Sequence, residues 1–244
     1  MTEEHFQPAR WARWTGALYL ITVLAAPFSL FYVPSQTVVR GNAAATAEKM
    51  LAHETLYRSG LVVGMISVIV FLVVAVMLYR LFRPVDRHLA RLMVIGVALQ
   101  IPIDIVLNTF GITSLMVVKG ELLLELPLEQ RQSIAMLLLK LSAYGTQLLE
   151  LLWGLWLLPL GTLIIRSTFL PRWLGYFLWL NGIAYVIMSL LFLIHAPWQS
   201  VVQPFLFPFF FGELVFMLWL VIKGVNKNAT VFFPELSITT TRKN

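Results

Sequence analysis

"LVVGMISVIVFLVVAVMLYRLFRPVDRHLARLMVIGVALQIPI", residues 61–103, is the stretch from which the fold is read. An apolar run ends at Arg80, the arginines Arg80, Arg83, Arg87 and Arg91 follow within one short connection, and a second apolar run begins at once. A hydrocarbon core of about 30 Å takes about 20 helical residues at about 1.5 Å rise each. The stretch therefore reads as two membrane-crossing helices joined by a basic loop. Positively charged loops are retained in the cytoplasm, so the same loop sets how the chain is threaded.

Working outward, the pattern predicts an all-α polytopic integral membrane helix bundle of six spans near 13–33, 59–80, 90–116, 134–165, 173–194 and 204–223. The third and fourth exceed the length needed and must tilt, kink or project, with Pro102 and Pro159 as kink points. No span looks broken. One set of ends carries Arg10, Arg13, Arg80, Arg83, Arg87, Arg91, Arg166, Arg172, Lys223, Lys227, Arg242 and Lys243; the other carries Arg40, Lys49, Arg58, Lys119 and Arg131. Twelve against five places both termini in the cytoplasm. Trp11, Trp14 and Trp173, each beside an arginine, fit the interfacial aromatic belt.

Of 244 residues, 59% are hydrophobic and 12% charged, against about 45–50% and about 25% in soluble domains. Mean hydropathy is +0.82, and the apolar residues run from Trp14 almost to Lys223, leaving no polar block to fold separately. The expectation is a single transmembrane domain over 1–244, in a bacterial cytoplasmic membrane. Net charge +6 would ordinarily suggest nucleic acid, but the basic residues cap apolar segments, so the partner is the lipid bilayer and not nucleic acid. The absence of cysteine excludes disulfides, thiolate metal sites and cysteine nucleophiles. The basic N-terminal stretch resembles a secretory signal, but the apolar run from Thr15 to Val33 is too long for a signal core and is read as an uncleaved first span.

The longest external loop runs from Pro34 to Arg58. Its "NAAATAEKMLAHETLYR" predicts a helix capped by Asn42, with Met50, Leu51 and Leu56 as its apolar surface. The next external loop, from Lys119 to Ser133, is acidic. "PWQSVVQPF", residues 197–205, reads as a proline-bounded turn, and Gly60-x-x-x-Gly64 with Ser67 as a helix-packing face.

Three separated patterns carry a family resemblance: "GNAAATAEKMLAHETLYRSG" (Gly41 to Gly60), "GLWLLPLGTLIIRSTFLPRWLGYFLWLNGIAYV" (Gly154 to Val186) and "GELVFMLWLVIKGV" (Gly212 to Val225). From roughly Ala9 to Val225 the chain resembles the bacterial multipass membrane family known as domain of unknown function 4386. The resemblance implies architecture; it lends no substrate, cofactor or catalytic residue. The segment from Gln100 to Leu149 matches the family pattern least.

Ionisable side chains at bilayer depth cost about 2.5–3.5 kcal/mol on insertion scales and normally face the bundle or a wet cavity. Asp104, Glu150 and Glu213 lie about 20, 24 and 15 Å from the basic ends of their spans, one layer in depth. Gln100, Asp104 and Asn108 recur at i, i+4 and i+8; Lys140, Tyr144, Gln147, Glu150 and Gly154 step by three and four. Each set is expected on one inward helix face, with Asn181 added by the fifth span. The candidate ligand-binding residues are Asp104, Asn108, Lys140, Gln147, Glu150 and Glu213. The alternative for the same residues is interhelical glue, worth about 0.6–2 kcal/mol per hydrogen bond. Lys140 is the one base well inside an apolar span, and is paired in expectation with Glu150 or Asp104. His53, Glu54 and Arg58 are candidates for an outer lid, Glu54 and Arg58 as an i,i+4 ion pair.

His53 and His195 without a third ligand make no metal site. No phosphate loop, dinucleotide fingerprint, HExxH or nucleophile elbow occurs, so no cofactor is invoked. Three functions stay open, in this order: binding or transport of a small molecule, lipid or proton through a polar intramembrane cavity; a structural or regulatory partner of another membrane protein; a membrane-embedded lipid-modifying enzyme acting through a carboxylate.

Overall fold

The computed structural model describes residues 7–195 and 197–226; Lys227, Arg242 and Lys243 of the charge pattern lie outside them. In chain order the helices are α1 (Pro8–Pro27), α2 (Val33–Thr37), α3 (Ala43–Ala52), α4 (Glu54–Phe82), α5 (Arg87–Ala98), α6 (Gln100–Lys119), α7 (Leu128–Arg166), α8 (Arg172–Leu193), α9 (Gln199–Leu206) and α10 (Gly212–Ile222). A π-helical stretch, Phe28–Tyr32, joins α1 to α2, and a 3₁₀ stretch, Phe207–Phe211, joins α9 to α10. Among the described residues there is no strand. Six helical segments among the described residues are long and apolar enough to cross a membrane: Pro8–Thr37, Glu54–Phe82, Arg87–Lys119, Leu128–Arg166, Arg172–Leu193 and Val201–Ile222. These are the six spans expected, the first four with longer ends.

The expectation of unbroken spans fails most clearly in the sixth. Pro204 and Pro208 have no N–H to give, so the helical ladder loses successive bonds and tightens into the 3₁₀ turn just before Glu213. "PWQSVVQPF" is correspondingly helix over most of its length, because backbone at membrane depth keeps every hydrogen bond that proline leaves it. In the third span the break falls at Leu99, three residues before Pro102. The proline ring clashes with the carbonyl of Ala98, which is the last residue of α5. Pro159, in contrast, sits inside the continuous α7.

The described residues fall into two compact units. The first takes the described residues of 1–20, 70–99 and 150–244, the second those of 21–69 and 100–149. In the second, Asn42 caps α3 as expected, its Oδ1 accepting from Ala45 N at 2.9 Å. That helix turns Thr46, Ala47 and Met50 inward, and Met50 packs with Val33, Tyr57 and Leu115. Leu51, expected on the apolar face, is exposed. Tyr57 Oη donates to Gly111 O at 2.9 Å and Ser114 Oγ to Ala135 O at 2.9 Å, tying α4 to α6 and α6 to α7. Gly60 lets α4 close on Val33, where an added Cβ would come within 2.9 Å.

In the first unit α7 and α8 run backbone to backbone. A Cβ on Gly154 would lie 2.4 Å from Gly182 O, and one on Gly175 would lie 2.5 Å from Gly161 O. The two glycine pairs are each seven residues apart on both helices, two turns of the same face. At the basic end of this unit Asp86 caps α5: Oδ1 accepts from His88 N and Leu89 N, and Oδ2 from Arg166 Nη1 at 2.8 Å. The Leu89 N–H above all, with that of His88 and the Arg166 charge, holds the Asp86 carboxyl below the usual aspartate range.

Candidate functional site

Buried polar atoms in a helical membrane protein need partners, and the Tyr19 hydroxyl and the Asn181 Oδ1 find theirs at Glu213. The 3₁₀ turn delivers Gly212 and Glu213 as the first residues of α10. Gly212 lacks a side chain where a Cβ would come within 3.0 Å of Asn181 Cβ, Asn181 Oδ1 and Phe177 O, so α10 starts directly against α8. Glu213 N donates to Asn181 Oδ1 at 3.2 Å. Its carboxylate accepts a hydrogen bond from the Tyr19 hydroxyl, reaching across from α1. A first-turn position also sets the carboxylate among aligned N–H dipoles that interact favourably with negative charge.

Tyr19 and Asn181 are 1% and 0% exposed, so the hydroxyl and the amide have no water to fall back on. Aromatic rings wall the site. The Tyr19 ring lies 5.5 Å from Phe71 and 6.1 Å from Trp156, and Phe71 meets Trp156 edge-on at 5.0 Å. One turn along α8 from Asn181, Tyr185 stands within electrostatic reach of both Glu213 and Glu150. Its ring is held between Phe210, at 4.7 Å, and Trp153, at 5.8 Å. Glu213 and Glu150 are each partly buried, and neither has an ion-pair partner among the described residues.

Two of the residues expected at the site, Glu150 and Glu213, thus share Tyr185 as a neighbour, and Asn181 joins them. Tyr19 and Tyr185 were not anticipated. Tyr185 follows Asn181 by four residues, so helical spacing could have found it. Tyr19 stands about 13 Å along its helix from Arg10, close to the about 15 Å that separates Glu213 from Lys223, so its depth was a second signal.

The remaining candidates lie in the second unit. Asp104 is half-buried, with no side-chain partner among the described residues. Asn108 spends its Nδ2 on the carbonyl of Asp104, at 2.9 Å within the same helix. Gln147 Oε1 is buried without a hydrogen bond. Lys140 departs from expectation: it is exposed, as is Tyr144, and among the described residues it enters no ion pair, with Asp104 or otherwise. Ten residues at about 100° each leave Lys140 about 80° around the helix from Glu150, so that stripe does not hold one inward face over its length. At the other end of α4, Arg58 Nε meets Glu54 at 2.8 Å, and Lys119 Nζ meets Glu54 at 3.1 Å and Glu121 at 2.9 Å. His53 closes α3 beside them, donating N–H to Lys49 O. Among the described residues no three His, Asp or Glu side chains form a metal-holding group.

Six membrane-length helices with a tyrosine–carboxylate–amide cluster inside one unit define a multi-pass helical membrane protein with a buried polar centre. The chain belongs to the family described as Domain of unknown function (DUF4386), whose model matches residues 14–224. A relative from Archaeoglobus fulgidus described as "Uncharacterized protein" is 35% identical over 82 residues, which is 33% of this chain and 47% of that relative. The chain therefore matches about half the length of that curated relative. No solved structure matches.

Proposed function

We propose that this protein sits in a bacterial cytoplasmic membrane with both termini in the cytoplasm and carries protons, with Glu213 as the exchanging group. The supporting observation is the Glu213 carboxylate, held by the Tyr19 hydroxyl and lacking a cation partner among the described residues. A carboxyl fixed by neutral donors, with no bound base to neutralise it, changes charge when a proton arrives or leaves. Tyr185, within electrostatic reach of both Glu213 and Glu150, supports the same reading by linking a second acid to the neighbourhood of the first. The orientation rests on the twelve-to-five distribution of Lys and Arg.

The full chain in proteoliposomes, with a pH-sensitive dye inside, tests the function. An imposed pH gradient is expected to collapse faster than in empty vesicles, and Glu213→Gln is expected to slow the collapse by about 10²-fold or more, the scale of losing a positioned proton-transfer group. Tyr19→Phe is expected to retain part of the rate. Equal rates in wild type and Glu213→Gln, or in wild type and empty vesicles, overturn the assignment. For orientation, single cysteines placed at Asn42 and His88 of this cysteine-free chain are expected to label from outside and only after permeabilisation, respectively. The opposite pattern inverts the topology.

A further inference from the structure

A groove of about 720 Å³ lies in the first unit between Trp11 and the last three turns of α4. Its wall is a helical stripe, Val73, Val76 and Met77, that ends in Arg80 and Arg83. Trp11 closes the other side: its Nε1 donates to Met77 O at 2.9 Å, and the Arg80 guanidinium lies 4.8 Å from the ring centroid. From Leu72 to Arg83 the stripe is about 16 Å long, half of a hydrocarbon core of about 30 Å, so it extends from a basic edge to mid-membrane depth.

We propose that this groove is a binding site for one anionic phospholipid, with an acyl chain along α4 against Trp11 and the phosphate held by Arg80 and Arg83. Charge complementarity selects that occupant. Arg80 and Arg83 are exposed, and Tyr79 beside them stands within electrostatic reach of Arg87 and Arg91, so four guanidinium groups gather at one edge. The nearby acid, Asp86, is already engaged through both oxygens, by two backbone N–H groups and Arg166, and leaves that edge basic. Guanidinium forks match phosphate oxygens two at a time. A basic rim on an apolar, one-leaflet-long slot suits a lipid rather than a soluble anion, whose phosphate would gain nothing from Val73 and Val76.

Native mass spectrometry of the full chain in detergent provides the test, with palmitoyl-oleoyl-phosphatidylglycerol and the matching phosphatidylcholine as probes. Phosphatidylglycerol is expected to be retained at least about tenfold more strongly, with about fivefold lost for each arginine removed in Arg80→Gln and Arg83→Gln. Val76→Trp, which fills the slot and leaves the charges in place, is expected to weaken retention of both lipids. Millimolar inorganic phosphate is expected to displace neither. Equal retention of the two lipids overturns the proposal, as does displacement by phosphate, which marks a soluble-anion site, or unchanged retention in Val76→Trp. Thermal unfolding of each variant is followed alongside; should Arg80→Gln not fold, Arg83→Gln alone, exposed and outside every ion pair among the described residues, decides the headgroup question.

Discussion

Trp156→Ala is expected to destabilise the protein by about 3–5 kcal/mol, the range for removing a large buried aromatic side chain. Trp156 is 2% exposed. Its ring stands edge-on to Phe71 and beside Tyr19, and its Cβ rests where a Cβ on Gly96 would come within 3.0 Å. Truncation to alanine removes the ring that packs beside Tyr19 and Phe71 and leaves a void there. At about 2–4 °C per kcal/mol for a chain of this size, the unfolding temperature in detergent falls by roughly 10 °C. Trp156→Phe keeps most of the ring contact and is expected to cost less than half as much. An alanine variant within about 1 kcal/mol of wild type would show that Trp156 is not the floor of the site. Proton flux is expected to fall in both variants in step with the loosening of Tyr19.

Gly154→Ala and Gly182→Ala form the second large effect, of opposite physical origin. Here the added methyl group has no space: it meets a main-chain carbonyl oxygen at 2.4 Å on one helix and at 2.7 Å on the other. No rotamer relieves a collision with backbone, so α7 and α8 must separate, at about 1–3 kcal/mol for each substitution. The double variant is expected to fall short of the sum, since helices already spread by the first methyl accommodate the second. Gly64→Ala provides the control. Its nearest neighbour is Ser29 Cβ at 3.9 Å, ordinary packing distance, and the reduced freedom of the unfolded chain is expected to leave stability unchanged or raised by about 0.4–1 kcal/mol. Unfolding temperatures that rank Gly64→Ala below Gly154→Ala would contradict the close approach of α7 and α8.

Much of this architecture is legible along the chain. The six spans follow from the lengths of the apolar runs, and α3 follows from Asn42 ahead of an alanine-rich segment. The Glu54–Arg58 pair follows from i,i+4 spacing, since neighbours on one helix are set by its own geometry. The candidate site was only partly legible. Glu213 and Asn181 stand out as polar groups at bilayer depth. Tyr19 shares their depth but stands out less, because tyrosine is common at membrane interfaces and nothing local shows that its hydroxyl is committed inside. Lys140 stands out equally, yet is exposed, because a stripe stepping by three and four drifts around a long helix.

What the sequence by itself determined is therefore everything that rests on one helix and its surroundings: how many segments reach across a hydrocarbon core, where Asn42 starts a helix, and which faces carry polar groups. Each of these depends on the free energy of a segment in lipid or water, which the segment's own residues supply. Only the tertiary structure decided which polar group meets which. Tyr19 and Glu213 are separated by 194 residues, and their hydrogen bond exists because Gly212 admits α10 against Asn181 and because Pro204 and Pro208 break the helix before it. Those conditions belong to three helices at once, and a one-dimensional pattern holds no term for the distance between them.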